Sequence, residues 1–303
     1  MGLFVGIALS GWLEALSQRE RVALNLSQVS RSNRLVRCVS LIAGTSLLFA
    51  GLTWAELVWG TLETPEVQPS DLGRQLRLCY HLVLVSLLIV ATAIDFDCYV
   101  IPDQVTIPGM LFGLLGAVAV ADLQICHLWV DWSVAIPQLR GPEIPAWFDA
   151  HRSMHALAWS SSGLMMGATL TWLARAISSY VLGQEAMGFG DVTLMAMIGC
   201  FLGWQPVVIV FLAAPIAGLT LGIVLRLISG RTFLPYGPWL SIATLLVLFS
   251  WNWLWRLTRI TFSDLLSVLL LFGIGGVGLV LLLSLLSLYR SIPVRSNKWS
   301  RKV

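Results

Sequence analysis

Charged residues divide this chain into long apolar runs. Uncharged stretches cover residues 38–55, 78–94, 104–121, 153–174, 192–225, 232–255 and 265–289. A helix needs about 20 mainly apolar residues to cross roughly 30 Å of hydrocarbon, so these runs predict membrane-spanning helices. The run 192–225 is too long for one crossing and contains Gly203-Trp204-Gln205-Pro206, a helix-breaking signal. It predicts two helices joined by a tight turn. The apolar start, Met1 to Leu13, is short and interrupted by Glu14. It lacks the basic lead-in of a cleaved signal, because Arg19 and Arg21 follow it, and so reads as a retained first helix with its N-terminus outside. The pattern predicts an all-α polytopic transmembrane helical bundle of about eight to nine spans.

Composition agrees with that pattern. Of 303 residues, 57% are hydrophobic and only 12% charged, about half the charged share of a soluble domain. A soluble globule and a disordered chain are both excluded. Cys38, Cys79, Cys98, Cys126 and Cys200 are scattered without a CxxC pair, so a disulfide scaffold is excluded too. The net charge of +3 is small and the basic residues are dispersed, which gives nucleic-acid binding no support.

Short cytoplasmic loops are enriched in Lys and Arg. Threading nine spans with the N-terminus outside puts Arg19, Arg21, Arg31, Arg34, Arg37, Arg175, Arg226, Arg231 and the tail Arg290, Arg295, Lys298, Arg301 and Lys302 on the cytoplasmic side. The chain divides into 1–37, a short helix and polar cytoplasmic segment; 38–255, a helical membrane core; and 256–303, an extra span with a basic tail. Within the core, 122–152 carries Trp129, Trp132, Trp147 and Phe148 among Pro137, Pro142 and Pro145. It reads as an extracytoplasmic insertion lying in the outer interface, where indole rings are favoured.

Acidic residues at membrane edges are costly, so each is a candidate for chemistry. One cluster is Asp95-Phe96-Asp97-Cys98-Tyr99-Val100-Ile101-Pro102-Asp103; the other is Gly188-Phe189-Gly190-Asp191. Both fall on the cytoplasmic side of the predicted topology. Asp95 ends an uncharged run and lies on the last membrane turn, whereas Asp97 points about 200° around a continuing helix. Asp103 reads first as an N-cap for the helix that follows. Gly188 and Gly190 would let a substrate backbone approach, and would adopt φ values closed to other residues, beside Asp191. Two nearby carboxyl groups hold a proton between them, so one can activate water while the other polarises a peptide carbonyl. No HExxH or GxSxG motif offers another hydrolytic chemistry, and no metal or cofactor is expected.

Asp95 with Ile101-Pro102-Asp103, followed by Gly188-Phe189-Gly190-Asp191, resembles the two signatures of type IV prepilin peptidases, which are GxGD-type membrane aspartyl proteases. Leu234-Pro235-Tyr236-Gly237-Pro238-Trp239 resembles a third segment of that family, and Gly199 to Trp204 fits the helix and turn after its second Asp. The resemblance covers roughly 78–250. It implies an aspartic endopeptidase of the bacterial cytoplasmic (inner) membrane that removes the basic leader of prepilins or type II secretion pseudopilins near the cytoplasmic face. Pilus or secretion machinery are its implied partners. Asp95 and Asp191 are then the catalytic pair. Gly188, Gly190, Asp97 and Asp103 contact or attract substrate, with Asp97 and Asp103 forming an acidic mouth for the basic leader.

The chain departs from the family's long form, whose cytoplasmic segment carries two zinc-binding CxxC pairs. Segment 14–37 has no Cys, so this resembles a short form in which N-methyltransferase activity is unsupported. Two other classes fit part of the pattern: an ion- or proton-coupled transporter, whose coupling ions bind at broken helices near the midplane, and a catalytically silent assembly protein.

Overall fold

The computed structural model of the protein describes residues 1–26, 31–132, 144, 146–185, 187–229 and 235–291. Among sequence features singled out above, Pro137, Pro142, Pro145, Arg231, Leu234 and the basic residues from Arg295 onward lie outside the described residues.

Among the described residues the regular structure is helical: α1 (Gly2–Ala23), α2 (Arg31–Trp59), α3 (Asp71–Cys98), α4 (Asp103–Val120), α5 (Trp147–Ala150), α6 (Arg152–Leu182), α7 (Phe189–Leu202), α8 (Trp204–Ser229), α9 (Gly237–Ser263) and α10 (Leu265–Ser291). Five helices are long and apolar enough to cross a membrane: α2 from Arg34, α3, α4, α9, and α10 to Leu285. Shorter apolar helices are Phe189–Leu202, which is α7, and Trp204–Thr220 within α8. The break between α7 and α8 falls where the sequence places it. Gly203 closes α7 with φ 81°, and a Cβ there would also fall onto the Trp159 indole, so glycine meets a conformational and a steric demand at once.

Most helices outrun their uncharged stretches. The segment 14–37 contributes the end of α1 and the start of α2, and α3 begins seven residues before its apolar run. The charges thereby brought into helices are matched. Arg77 on α3 and Glu56 on α2 are fully buried and form an ion pair at 2.7 Å, and Glu56 Oε2 also accepts the Leu62 N–H at 2.8 Å. In hydrocarbon such polar groups persist only with partners.

Helix α7 is the axis. It packs against α3, α4, α6, α8 and α9, and every residue from Leu194 to Val208 is buried. Its closest approach is to α6. A Cβ on Gly163 would fall onto the Gly199 carbonyl oxygen, and one on Gly199 onto the Gly163 carbonyl oxygen. Small residues of this kind let helix backbones touch. By contrast α10 packs on α6 and α9 and exposes Leu266, Leu269, Leu270, Ile274 and Val277, an outward apolar face suited to lipid.

The end of the bundle next to Gly203 is tied by indoles and loop carbonyls. Trp204 Nε1 donates to Leu128 O at 2.8 Å, Trp251 Nε1 to Ile125 O at 2.9 Å and Trp255 Nε1 to the Glu66 carboxylate at 2.9 Å. Gln205 Nε2 donates to His127 O at 2.9 Å. Trp129 stacks on Trp204, and Arg259 lies 4.0 Å from the Trp132 ring centre. The described part of 122–152 is therefore anchored to the core.

Two stability outcomes follow. Arg77→Met should cost about 3–5 kcal/mol by stranding Glu56, and Glu56→Leu/Arg77→Met should recover most of the loss, read by unfolding in detergent. Gly199→Ala should cost about 1–3 kcal/mol by forcing α6 and α7 apart. Gly273→Ala on α10, with nothing within 4 Å of the added carbon, should be neutral in the same assay.

Candidate active site

After α3 the chain must reverse into α4 within four residues. Tyr99 does this in the left-handed conformation (φ 57°), its N–H donating to Asp95 O at 2.9 Å, an αL cap that satisfies an orphan helix carbonyl. Asp95 is thus held one turn inside the helix end, 5% exposed. Asp97 faces elsewhere. It is ion-paired with Arg37, lies 4.0 Å from Arg21 Nη2, and accepts a hydrogen bond from Ser17 Oγ at 3.5 Å. Those partners belong to α1 and α2, so Asp97 is joined to them rather than to Asp95. Asp103 is exposed in the first turn of α4. The N-cap expected of it is instead Pro102, without a side-chain cap bond, because the chain enters the helix one residue earlier. The Asp103 carboxylate still lies at the favourable end of the helix dipole.

The second acid is positioned by its own turn. Gly183 ends α6 with φ 65°. Arg175 then grips the connection, Nε donating to Met187 O at 2.9 Å and Nη2 pairing with Glu185 at 3.1 Å. Gly188 is the N-cap of α7, and Asp191 is the third helical residue, in its first turn. Its carboxylate is turned back toward the N-cap: a Cβ on Gly188 would stand 3.7 Å from Asp191 Oδ2, the direction an N3 acid takes in a capping box. Asp191 is 7% exposed.

Gly188 and Gly190 need a different explanation from the one their sequence suggests. Gly188 has φ −70° and ψ 155°, values open to any residue, and Gly190 is helical without a positive φ. The bare face of Gly190 is filled by Ile101: a Cβ on Gly190 would lie 2.9 Å from Ile101 Cβ. Gly190 therefore lets the loop after α3 close onto α7.

A third element completes the site. The Gly237 N–H, at the start of α9, donates to Asp95 Oδ2 at 3.1 Å. A Cβ on Gly237 would stand 2.5 Å from that oxygen and 2.9 Å from Ile101 Cδ1. Asp191 lies within electrostatic reach of Asp95, and Tyr236 within reach of Asp191. The structure thus brings Gly190 and Gly237 onto the buried Ile101, Gly237 onto Asp95, and Gly188 beside Asp191. It brings neither Asp97 nor Asp103 into those contacts. The sequence marks Ile101 and Gly237 only as members of the segments Ile101-Pro102-Asp103 and Pro235-Tyr236-Gly237-Pro238, and gives neither a place in the site.

Two carboxyl groups from different helices, nearly buried and near each other, can share a proton and act on a bound carbonyl and water. Among the described residues no group of three or more His, Cys, Asp or Glu side chains is placed to hold a metal ion. In a cysteine-free background, Ile101→Cys/Gly190→Cys should form an intramolecular disulfide under mild oxidation after a small shift, since bridged Cβ atoms lie about 3.5–4.5 Å apart. Peptide mapping without reductant would show it, and Ile101→Cys with Gly273→Cys should not react.

Residues 145–223 match the type IV leader peptidase family, a stretch that includes Asp191 and not Asp95. The chain is 31% identical over 170 residues to a prepilin leader peptidase/N-methyltransferase of Aeromonas hydrophila, covering 54% of this chain and 46% of that protein. It is 27% identical over 219 residues to a protein of the same name from Pectobacterium carotovorum subsp. carotovorum, covering 71% and 59%. A Myxococcus xanthus (strain DK1622) relative of that name is 32% identical over 163 residues, covering 52% and 38%. The chain spans about half the length of the curated relatives it matches. No solved structure matches. The chain is thus similar to the type IV leader peptidase family over residues 145–223, and to proteins named prepilin leader peptidase/N-methyltransferase over about half to two thirds of its length.

Proposed function

We propose that this chain is an aspartic endopeptidase that cleaves the basic leader from prepilins or pseudopilins, with Asp95 and Asp191 as its catalytic pair. The observation that carries the reading is the convergence of these two nearly buried carboxyl groups, one from the end of α3 and one from the first turn of α7. Both lie at helix termini, where a peptide entering from the membrane edge can reach them. Mid-helix acids of the kind that bind coupling ions would suit a transporter better.

In the proposed reaction the pair holds one proton. The ionised carboxylate removes a proton from water as its oxygen attacks the scissile carbonyl carbon, and the protonated partner donates a hydrogen bond to the carbonyl oxygen. Collapse of the tetrahedral intermediate breaks the C–N bond, and a proton passes to the leaving amine. The Gly237 N–H fixes one Asp95 oxygen and the first turn of α7 holds Asp191, so the two groups are oriented before substrate arrives. Gly188, at the open edge of the turn, borders the peptide, while Gly190 acts through Ile101.

The active end faces the cytoplasm in this reading, following the basic residues. Asp103, exposed at the rim, draws in the basic leader; Asp97, already ion-paired with Arg37, adds little to that attraction. Only the peptidase step is assigned. Region 38–255 supplies the catalytic core and 1–37 buttresses it through α1.

A membrane cleavage assay with a prepilin substrate tests the assignment. Asp95→Asn and Asp191→Asn should each lower the rate by about a hundredfold or more at unchanged abundance. Gly237→Ala, which pushes the Asp95 carboxyl aside, should also cost about a hundredfold. Normal processing by either Asn variant would overturn the dyad.

A further inference from the structure

The peptidase reading leaves Asp97 without a task, and its surroundings give it one. Both oxygens of its carboxylate are engaged. Oδ2 pairs with Arg37 Nη1 and accepts from Ser17 Oγ at 3.5 Å, while Oδ1 lies 4.0 Å from Arg21 Nη2. Arg37 Nη1 also donates to Ser17 Oγ at 3.4 Å, so Ser17, Arg37 and Asp97 close a ring of contacts. We propose that Asp97, on the reading of Asp95 as catalytic, is its positioning residue: the knot with Ser17, Arg21 and Arg37 holds the last turn of α3 in the rotation that presents Asp95 to Gly237.

Helix geometry gives the reason. Residues two apart on a helix stand about 200° around it, so Asp95 and Asp97 leave α3 on nearly opposite faces. One face is held by α9, through the Gly237 N–H at 3.1 Å from Asp95 Oδ2; the other is held by α1 and α2, through the knot. A helix turn tied on one side can pivot about its tie, whereas ties on opposite sides fix its rotation. The left-handed Tyr99 caps α3 just beyond, so no further helical turn steadies this one.

Charge argues against the other task open to Asp97, attraction of a basic leader. Glu20, Arg21, Arg37 and Asp97 lie around the buried Cys98, two acids against two arginines. The neighbouring pair, Glu14 with Arg34 at 3.3 Å, is balanced as well. A charge-balanced group projects little field toward an approaching peptide. The Asp97 side chain is only 24% exposed, and in so covered a setting the loss of one partner strands the other. Arg37 and Asp97 therefore depend on each other, and the end of α3 depends on both.

Steady-state cleavage of prepilins whose leaders differ in Lys content tests it. Arg37→Gln and Asp97→Asn should each lower kcat about tenfold with KM unchanged, whatever the leader. The double variant should fall no further, because either change alone unties the knot. An acid that attracted leaders would give opposite signs: Arg37→Gln, by freeing it, would lower KM for Lys-rich leaders, and Asp97→Asn would raise it. That pattern, or normal kcat in both variants, would overturn the proposal. Asp95→Asn tests the underlying reading separately. Cleavage surviving in that variant refutes the catalytic pair, whereas its loss there with normal kcat in the knot variants refutes only the positioning role. The buried Cys98 thiol gives a readout without substrate. In a Cys38→Ser/Cys79→Ser background, Asp97→Asn should speed its labelling by a maleimide about tenfold, and an unchanged rate would show the turn held by other contacts and refute the knot. Should both charge variants fail to fold, Ser17→Ala removes less and should lower kcat about threefold at unchanged KM; unchanged kcat there would refute it.

Discussion

The backbone contact between Gly163 and Gly199 is the constraint from which the rest of the structure follows. Each glycine faces the other's carbonyl oxygen with no space for a Cβ, so α6 and α7 lie as close as two helices can. That crossing puts α7 at the centre, with α3, α4, α8 and α9 filling the remaining sides. At 14 residues, α7 is about 21 Å long, shorter than the roughly 30 Å of hydrocarbon a span must cross. A central helix shorter than the bilayer cannot present both ends at the surface. One end meets the loop 121–132 through Trp204 and Gln205; the other begins at the exposed Phe189, with Asp191 buried two residues further in. The burial of the second acid therefore goes with the central placement of α7.

Asp95 is buried by a different route. Helix α3 has 28 residues, about 42 Å, enough to pass through the bilayer, and its first turns carry Arg74 and Arg77. Arg77 is held inside by Glu56, while Arg74 pairs with Glu63 at 2.6 Å. At the far end the left-handed Tyr99 stops the helix one turn past Asp95. The buried pair and the cap bracket α3 from its two ends and so set the register in which Asp95 comes opposite Gly237. A shift of α3 by one residue would rotate Asp95 about 100° away from that N–H.

The spans were legible because hydrocarbon allows few charges, and 12% charge in this sequence left unmistakable gaps. Helix ends were less so. Arg77 looks like a boundary in a linear reading and is instead a buried core residue, since the partner that neutralises it lies on another helix. The burial of two acids at helix ends was legible from the positions of Asp95 and Asp191 at the ends of uncharged runs. What the glycines before Asp191 do was not. Gly190 reads as room for a substrate and serves as room for Ile101, a contact between segments far apart in sequence. The pairing of Asp97 with Arg37 was hidden for the same reason: α1 and α2 are joined to α3 only in three dimensions, so an acid two residues from Asp95 looks like part of one cluster while belonging to another.

The two ends of the bundle are held with unequal strength, and that difference bears on how a peptide could enter. At the Gly203 end three indole N–H groups and Gln205 bond to loop carbonyls or a carboxylate, and Asn252 N–H donates to Thr61 O at 2.8 Å. Opening there would strand several buried donors at once, each costing about 1–3 kcal/mol. At the Asp191 end, among the described residues, α9 is tied to α3 by one hydrogen bond, from the Gly237 N–H to Asp95, and by the contact of Gly237 with Ile101. An incoming peptide backbone has its own carbonyl and N–H groups to offer in place of that one bond. In the proposed reading the seam between α9 and α3 is the place to yield, because Arg175 secures the turn before Asp191 and Asp97 secures the end of α3 to α1 and α2. Access to the two carboxyl groups there would leave the glycine-packed centre in place.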